Sequence, residues 1–529
     1  MTDYDSDQER RSFASRTPVN GNPDRVEYRR GFVTRHQVTG WRFVMRRIAS
    51  GIALHDTRML VDPLRSQSRA VLMGVLITVT GLVGCLVLSV LRPNGPAGNN
   101  AVLADRSTAA LYVRIGDVLH PVLNLTSARL IVGRPVNPTT VRSTELDQFP
   151  RGNLIGIPGA PERMVQNGSG DSDWTVCDES NVGSEGGAGT HSMGVTVIAG
   201  RLRGGGSRAA ALGATQAVLV DDGAGTWLLW EGKRSWIDLS DHAVTNALGL
   251  GVDVRPPRPI APGLFNAISQ APPLTAPVIP DAGSPADFAV PAPIGGVVQV
   301  GTLDANAVQL YAVLPDGLQP IPPVLAAILR NTDSFGLQQP PRMGADEVAR
   351  LPVSHMLDLT RYPTRPVQLV DAEHDPVTCV YWSKPAGAAK SSLSLLAGAA
   401  LPVPAGVHTV ELVGGASGDA GMAARVGLPA GTGYFVQTGG GGASAPAAGS
   451  FFWISDTGVR YGIDTEGDRE QKTVAALGLS PPALLIPWPV LSLFAPGPTL
   501  SRADALLAHD GLPADVRPGL RVPAEGAQR

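Results

Sequence analysis

Two short sequences in distant parts of the chain are versions of one another. LYVRIGDVLHPV (Leu111–Val122) aligns without a gap on LYAVLPDGLQPI (Leu310–Ile321), with five identities in twelve positions. WLLWEGKRSWID (Trp227–Asp238) aligns in the same way on WISDTGVRYGID (Trp453–Asp464), again with five identities. Each member of the second pair is followed by Ala-Leu-Gly-Leu, at 247–250 and 476–479, and then by a proline-rich stretch holding Leu-Phe, at 264–265 and 493–494. Between the pairs, WTVC ends at Cys177 and CVYW begins at Cys379, and an apolar run ending in Ala-Gly follows each, VTVIAG at 195–200 and LSLLAG at 393–398. Four matches in one order read as a unit of about 190–230 residues used twice, and a fixed self-similarity of this kind constrains a fold more than any single motif.

All four motif copies share a local plan: an aromatic strand, a turn, a second short strand and a helical stretch. Residues 241–250, 473–479 and 323–330 supply the helical stretches. A hairpin with one helix is too small to hide its apolar face alone. The expected fold class is therefore α+β: four small hairpin-plus-helix modules around a central β domain that includes the two cysteine strands. Equivalent cysteines suggest a cross-link near a pseudo-two-fold axis. The segment at 271–296, APPLTAPVIPDAGSPADFAVPAPIGG, is too rich in proline for regular structure and marks the boundary between halves.

Ala70–Leu91 runs from end to end without a charged residue. At 1.5 Å per residue such a helix covers about 33 Å, enough for a hydrocarbon core of about 30 Å. A buried globular helix rarely lacks every charge over such a length. A signal peptide would not begin as late in the chain as Ala70. Six arginines fall in residues 40–69 and three in residues 92–121, a bias that places the N-terminus in the cytoplasm and the bulk of the chain outside. Six segments follow: a disordered tail (1–37), a basic amphipathic helix (38–69), the span (70–91), a first outer half (92–292), a second outer half (293–500) and a loose C-terminal tail (501–529). In the amphipathic segment Trp41, Val44, Met45, Ile48 and Ile52 recur at helical spacing, with Arg42, Arg46 and Arg47 among them. Such a helix lies on anionic lipid, packs on a partner, or is a solvated juxtamembrane helix following the charge bias. Asp62-Pro63 should break it before the span.

The outer compartment permits a disulfide between Cys177 and Cys379, the alternative being two free buried thiols; Cys85 lies in the span as a small apolar filler. Closing so long a loop is worth at most about 5 kcal/mol of chain entropy. Catalytic motifs are missing. Gly232-Lys233-Arg234-Ser235 lacks the upstream glycine of a phosphate loop and falls in a hairpin turn, and neither HExxH nor GxSxG occurs. His355 and His374 lack metal-ligand spacing. The run Gly439–Gly442 belongs to a low-complexity insertion before Ser450. No catalytic residue, cofactor or metal is expected. The hairpin tryptophans read as module core, with a carbohydrate-stacking face as the alternative. A net charge of −3 carries no global basic field for nucleic acid. Gly 62 and Pro 46, about a fifth of the chain, without a G-X-Y period, argue for turns and against both collagen and a helical bundle.

The whole chain resembles the EccB family, core membrane components of type VII (ESX) secretion systems. The resemblance is carried by TRHQVTGWRFVMRRIASGIALHDTRMLVDPLRSQSRAVLMG (34–74), LDQFPRGNLIGIPGAPERM (146–164), CVYWSKP (379–385) and FFWISDTGVRYGID (451–464). Residues 10–41 are most similar to the paralogue of the third ESX system, the one tied to iron and zinc acquisition. The resemblance implies an inner-membrane protein with a periplasmic bulk of repeat modules around a central β domain. It implies a disulfide staple that maps onto Cys177 and Cys379. It also implies a cytoplasmic helix, here Trp41, Arg42, Val44, Arg46, Arg47 and Ile48, that joins partner subunits. The implied partners are EccC (a motor ATPase), EccD and EccE, together with periplasmic self-association, and the modules are similar to a cell-wall-binding fold, which leaves contact with peptidoglycan open. Members are often labelled ATPases, but no nucleotide motif is present here, so the leading expectation is a structural component, with an ATP hydrolase and a peptidoglycan anchor as alternatives.

Overall fold

The computed structural model describes residues 34–55, 63–91, 97–181, 191–202, 206–251, 254–301, 308–416, 421–439, 449–465 and 472–512. The expected N-terminal tail up to residue 33, the bulk of the glycine insertion and residues 513–529 lie outside them. Two compact units divide the chain, Met1–Pro93 and Asn94–Arg529.

In the first unit a helix runs Arg35–Leu54. The Thr34 N–H donates to Gln37 Oε1 at its start, and His55 closes it with φ 54° while its N–H donates to the Gly51 carbonyl. The amphipathic helix expected over 38–69 is therefore shorter: a left-handed cap ends it at Leu54, well before the expected break at Asp62-Pro63. Pro63 instead opens the next helix, Pro63–Leu91, where its missing N–H costs nothing. Within that helix Ser68–Val87 is long and apolar enough to cross a membrane, the one such stretch among the described residues.

The second unit is a mixed α+β body. Its central sheet has seven strands in the order Thr409–Glu411, Arg425–Gly427, His191–Ala199, Ser172–Asn181, Val377–Lys384, Ser392–Gly398 and Ala210–Ala211. Ser172–Asn181 and Val377–Lys384 run antiparallel, with Trp174 opposite Trp382 and Cys177 opposite Cys379.

Four smaller sheets accompany it, each built on a hairpin. Leu111–Ile115 pairs with Val118–Pro121, and Val308–Leu314 with Gly317–Ile321. In both sheets an antiparallel third strand and a parallel fourth complete the same spatial order. Parallel bridges join Leu119 to Arg151 and Leu318 to Val353. Thr226–Trp230 pairs with Lys233–Trp236, and Phe451–Ile454 with Val459–Ile463. These two hairpins turn on Gly232 (φ 77°) and Gly458 (φ 82°), and both turns press on the central sheet. A Cβ at Gly458 would stand 2.5 Å from Val426 Cγ2, and one at Gly232 would meet the Leu393 carbonyl, so neither turn admits a side chain.

A helix follows each hairpin: Leu125–Val132, His242–Ala247, Pro323–Thr332 and Lys472–Leu477. Local chemistry starts them. Asn124 accepts from the Ser127 N–H, Asp241 accepts from the Ala243 and Val244 N–H groups, and Pro323 opens the third.

The hairpin units share cores in pairs. Val113, Leu130 and Ile131 pack with Trp453, Val474 and Leu477, so the first unit joins the last. Leu228, Trp230 and Val244 pack with Leu314, Val324 and Ile328, so the second joins the third. The second and fourth also lie on the central sheet, where Val220, Leu229 and Leu264 of the one and Val436, Ile486 and Phe494 of the other belong to a single core.

Two segments pack more tightly than their composition suggests. Leu274, Ile279, Ala292 and Ile294 of the proline-rich segment are buried, although it holds no helix and no extended ladder. The C-terminal tail is not loose from 501 to 512. Ser501 caps the helix Arg502–Ala505, Ala505 is buried in the core of the first hairpin unit, and Ala508–His509 pairs with Leu154–Ile155.

Candidate functional site

Cys177 and Cys379 form a disulfide at the centre of the seven-stranded sheet, both side chains fully buried. Direct opposition on neighbouring antiparallel strands puts their Cα atoms 4.0 Å apart. The closed loop spans 202 residues of sequence and ties the strand that follows the first hairpin unit to the strand that follows the third.

Polar side chains flank the disulfide. Asp178 and Arg258 are both buried, with Arg258 Nη2 3.6 Å from Asp178 Oδ2. Arg258 Nη1 donates to Thr378 Oγ1 at 2.7 Å, and the Ala261 N–H donates to Asp178 Oδ2 at 2.8 Å. Burial pulls the Arg258 guanidinium below its ordinary value, and the Asp178 carboxylate partly restores it. Toward the other end of these strands, Asp173 accepts from Tyr381 Oη and Ser383 Oγ, each at 2.6 Å. Burial, and then that carboxylate, push the Tyr381 phenol up to about 12. Burial, with Asp173 adding to it, does the same to Tyr434. Tyr381 and Ser383 thus spend their hydroxyl hydrogens on Asp173, whereas Arg258 Nε is buried without a hydrogen-bond partner among the described residues.

Gly232-Lys233, the nearest approach to a phosphate loop in the sequence, is also committed. Lys233 Nζ lies 3.7 Å over the Trp230 ring and donates to the Thr360 carbonyl at 2.9 Å. Trp230 Nε1 donates to Ser235 Oγ. Trp230 and Trp453 are core residues, whereas Trp236 is partly exposed at 38% and Trp488 at 50%. Among the described residues no group of three or more His, Cys, Asp or Glu side chains converges. A groove of about 520 Å³ lies beside Ser172, Lys384, Gln437, Phe451 and Leu485. A smaller cavity of about 220 Å³ lies beside Trp174, Arg234, Trp382 and Val490.

The remaining sequence-selected residues lie on the helix Arg35–Leu54, in the other unit. Trp41, Val44 and Ile48 are exposed at 66%, 51% and 51%, and Arg42, Arg46 and Arg47 are exposed beside them. Sequence reasoning missed the Asp178–Arg258 pair. The two residues stand far apart in the chain and in different sheets, and only the packing of the second hairpin unit on the central sheet brings them together.

A family model described as the type VII secretion system ESX-1 transport TM domain B matches residues 30–514. A Mycobacterium tuberculosis protein named ESX-3 secretion system ATPase EccB3 is 73% identical over 536 aligned positions, covering 100% of this chain and 99% of its own. Its namesake in Mycolicibacterium smegmatis is 64% identical, covering 97% and 98%. Among solved structures, a chain of an EccB3 dimer from the ESX-3 core complex is 58% identical with a TM-score of 0.68, covering 77% of this chain and 100% of its own. A chain of an intact ESX-5 inner membrane complex is 37% identical with a TM-score of 0.71, covering 94% and 99%. The chain belongs to the EccB family of type VII secretion proteins.

Proposed function

We propose that this chain is a structural component of an ESX-3-type secretion complex in the inner membrane. It spans once through Pro63–Leu91, with its N-terminus cytoplasmic and residues 94–529 in the periplasm. The observation that carries this reading is an apolar helix followed in the chain by a body whose centre is cross-linked by a buried disulfide. A dimer of the 58% identical relative supports self-association of the outer unit. EccC, EccD and EccE are the partners this reading names, and iron and zinc acquisition is the process that the export would serve. Cells lacking the chain should neither export the system's substrates nor yield the membrane complex on detergent extraction. Normal export from such cells refutes the proposal.

We also read the outer unit as one half used twice, with the boundary in the proline-rich segment. Arg234 and Arg460 occupy matching positions of the aligned motifs and donate to the carbonyls of Phe265 and Phe494, the phenylalanines of the two Leu-Phe pairs. Parallel bridges Ile237–Leu274 and Ile463–Leu500 repeat with a single offset, the one that relates Trp227 to Trp453. Pairing first with fourth and second with third is the arrangement a pseudo-two-fold axis would produce.

The name of the M. tuberculosis relative favours a second reading, ATP hydrolysis. The full chain in detergent should then turn over ATP above background; an inert, folded protein removes this reading. Exposed Trp236 and Trp488 are the observation behind a peptidoglycan anchor. Sedimentation with insoluble peptidoglycan should deplete the chain from solution, and a chain left in the supernatant counts against it.

A further inference from the structure

The second and fourth hairpin units spend matched donors differently. Trp174 and Trp382 stand opposite one another on the central strands. Trp174 Nε1 donates to the Leu485 carbonyl at 2.9 Å. Trp382 is only 5% exposed, and its Nε1 is buried without a hydrogen-bond partner among the described residues. Arg460 Nε donates to the Phe494 carbonyl at 3.1 Å. Arg234, at the matching position, reaches the Phe265 carbonyl through Nη1 instead, and its Nε is left buried and unpartnered among the described residues. Trp382 and Arg234 both line the cavity of about 220 Å³. A buried N–H without an acceptor is costly, and two beside one space point to a guest that accepts from both. Val380, Pro487 and Val490 make much of the remaining wall apolar, and exposed Asn266 and Gln270 complete it toward solvent. The Arg234 guanidinium is held 3.6 Å over the Phe265 ring. Burial pulls it below its ordinary value and Asp222 partly restores it, yet an arginine stays cationic at neutral pH. It forms no ion pair among the described residues. Two N–H donors, one of them on a cation, suit a single negative charge shared by two oxygens. A phosphate would bring more charge and more acceptors than this wall meets.

We propose that this cavity binds a small monocarboxylate with an apolar body, its carboxylate accepting from Trp382 Nε1 and Arg234 Nε and its body lying against the tryptophan rings. A cavity of about 150 Å³ accommodates benzene, so this one suits a guest of about ten non-hydrogen atoms. The guest touches the central sheet at Trp382, the second hairpin unit at Arg234 and the fourth at Val490, and so clamps all three together.

The test uses the detergent-solubilised full chain with nitrogen-15 in its tryptophan indoles. The probe is 3-phenylpropanoate, and 3-phenylpropylamine, the same body with a cation, is its counterpart. Trp382→Phe identifies the Trp382 indole resonance by its loss. That resonance should shift saturably with 3-phenylpropanoate, at a Kd of about 1 mM or tighter, and stay in place with the amine. Arg234→Gln should weaken the carboxylate about tenfold or more, since it removes a charged donor. Arg460→Gln, at the matching position outside the cavity, should leave binding unchanged. A Trp382 indole that the carboxylate never moves leaves water alone in the cavity and overturns the proposal. Equal shifts with acid and amine overturn it without any variant, because they show an apolar hole with no recognition of charge. Undiminished binding in a folded Arg234→Gln chain overturns it too.

Discussion

The two hairpin units that pack on the central sheet meet it with different chemistry. In one of them the strand Arg258–Pro259 brings a guanidinium to Asp178, buried beside the disulfide. In the other, Leu484–Pro487 carries no charge, and the contact is aromatic: Trp174 packs edge-on against Tyr434 at 5.3 Å and Phe494 at 6.3 Å, and its Nε1 donates to the Leu485 carbonyl. Strand order, turn glycine and the arginine-to-phenylalanine-carbonyl bond are alike in both units. Shape and register define such a unit, and the chemistry of its contact with the sheet is free to vary.

Substitutions should separate the two sides. Arg258→Leu strands the Asp178 carboxylate in the interior and should cost about 3–5 kcal/mol, read from thermal unfolding of the detergent-solubilised chain. Adding Asp178→Asn should restore much of the loss; a double variant as unstable as the single one would show that packing, not charge, governs that side. Trp174→Ala should cost a similar amount, about 3–5 kcal/mol, by opening a cavity on the aromatic side. Cys177→Ser with Cys379→Ser should cost about 2–5 kcal/mol and loosen both sides together, seen as a lower melting temperature in the oxidised comparison that vanishes under reductant. Protease nicking confined to one flank would break the symmetry claimed for the staple. Arg234→Gln and Arg460→Gln should each cost about 1.5–3 kcal/mol, and near-equal values would sharpen the likeness between units.

The smallest effect concerns alkali. Tyr381 and Tyr434 hold folded values of about 12, above the ordinary tyrosine value of 10.0. Their neutral phenols therefore contribute stability that is fully present below pH 10 and lost as pH rises from 10 to 12. Tyrosinate absorbance at 295 nm should lag behind that of the unfolded chain over this window, and Tyr434→Phe should remove part of the melting-temperature fall.

The hairpins were legible because alternating apolar residues and a glycine turn are short-range signals. Three of the helices after them were legible, at 241–250, 323–330 and 473–479, whereas Leu125–Val132 was not. Which hairpin shares a core with which was not, since local pattern marks the buried face of Trp453 or Leu228 without naming its partner. The packing of Leu500 and Ala505 went unseen for a related reason: a four-residue helix and a two-residue strand carry too little periodicity to stand out from a polar tail. The pairing of Cys177 with Cys379 was legible, since only these two cysteines fall outside the span, while the antiparallel register of Ser172–Asn181 with Val377–Lys384 that sets them face to face was not. The amphipathic stripe was visible residue by residue, while its end at Leu54 depended on a single left-handed histidine.

The shared core of the first and last hairpin units sets a timetable for biogenesis. Val113 leaves the ribosome long before Trp453, against which its unit is buried. At ordinary synthesis rates the intervening stretch of about 340 residues takes roughly 20 to 70 seconds, during which the earliest strands stand unsheltered. A truncation that removes only residues 451–500 would leave its very first β-strands without a home.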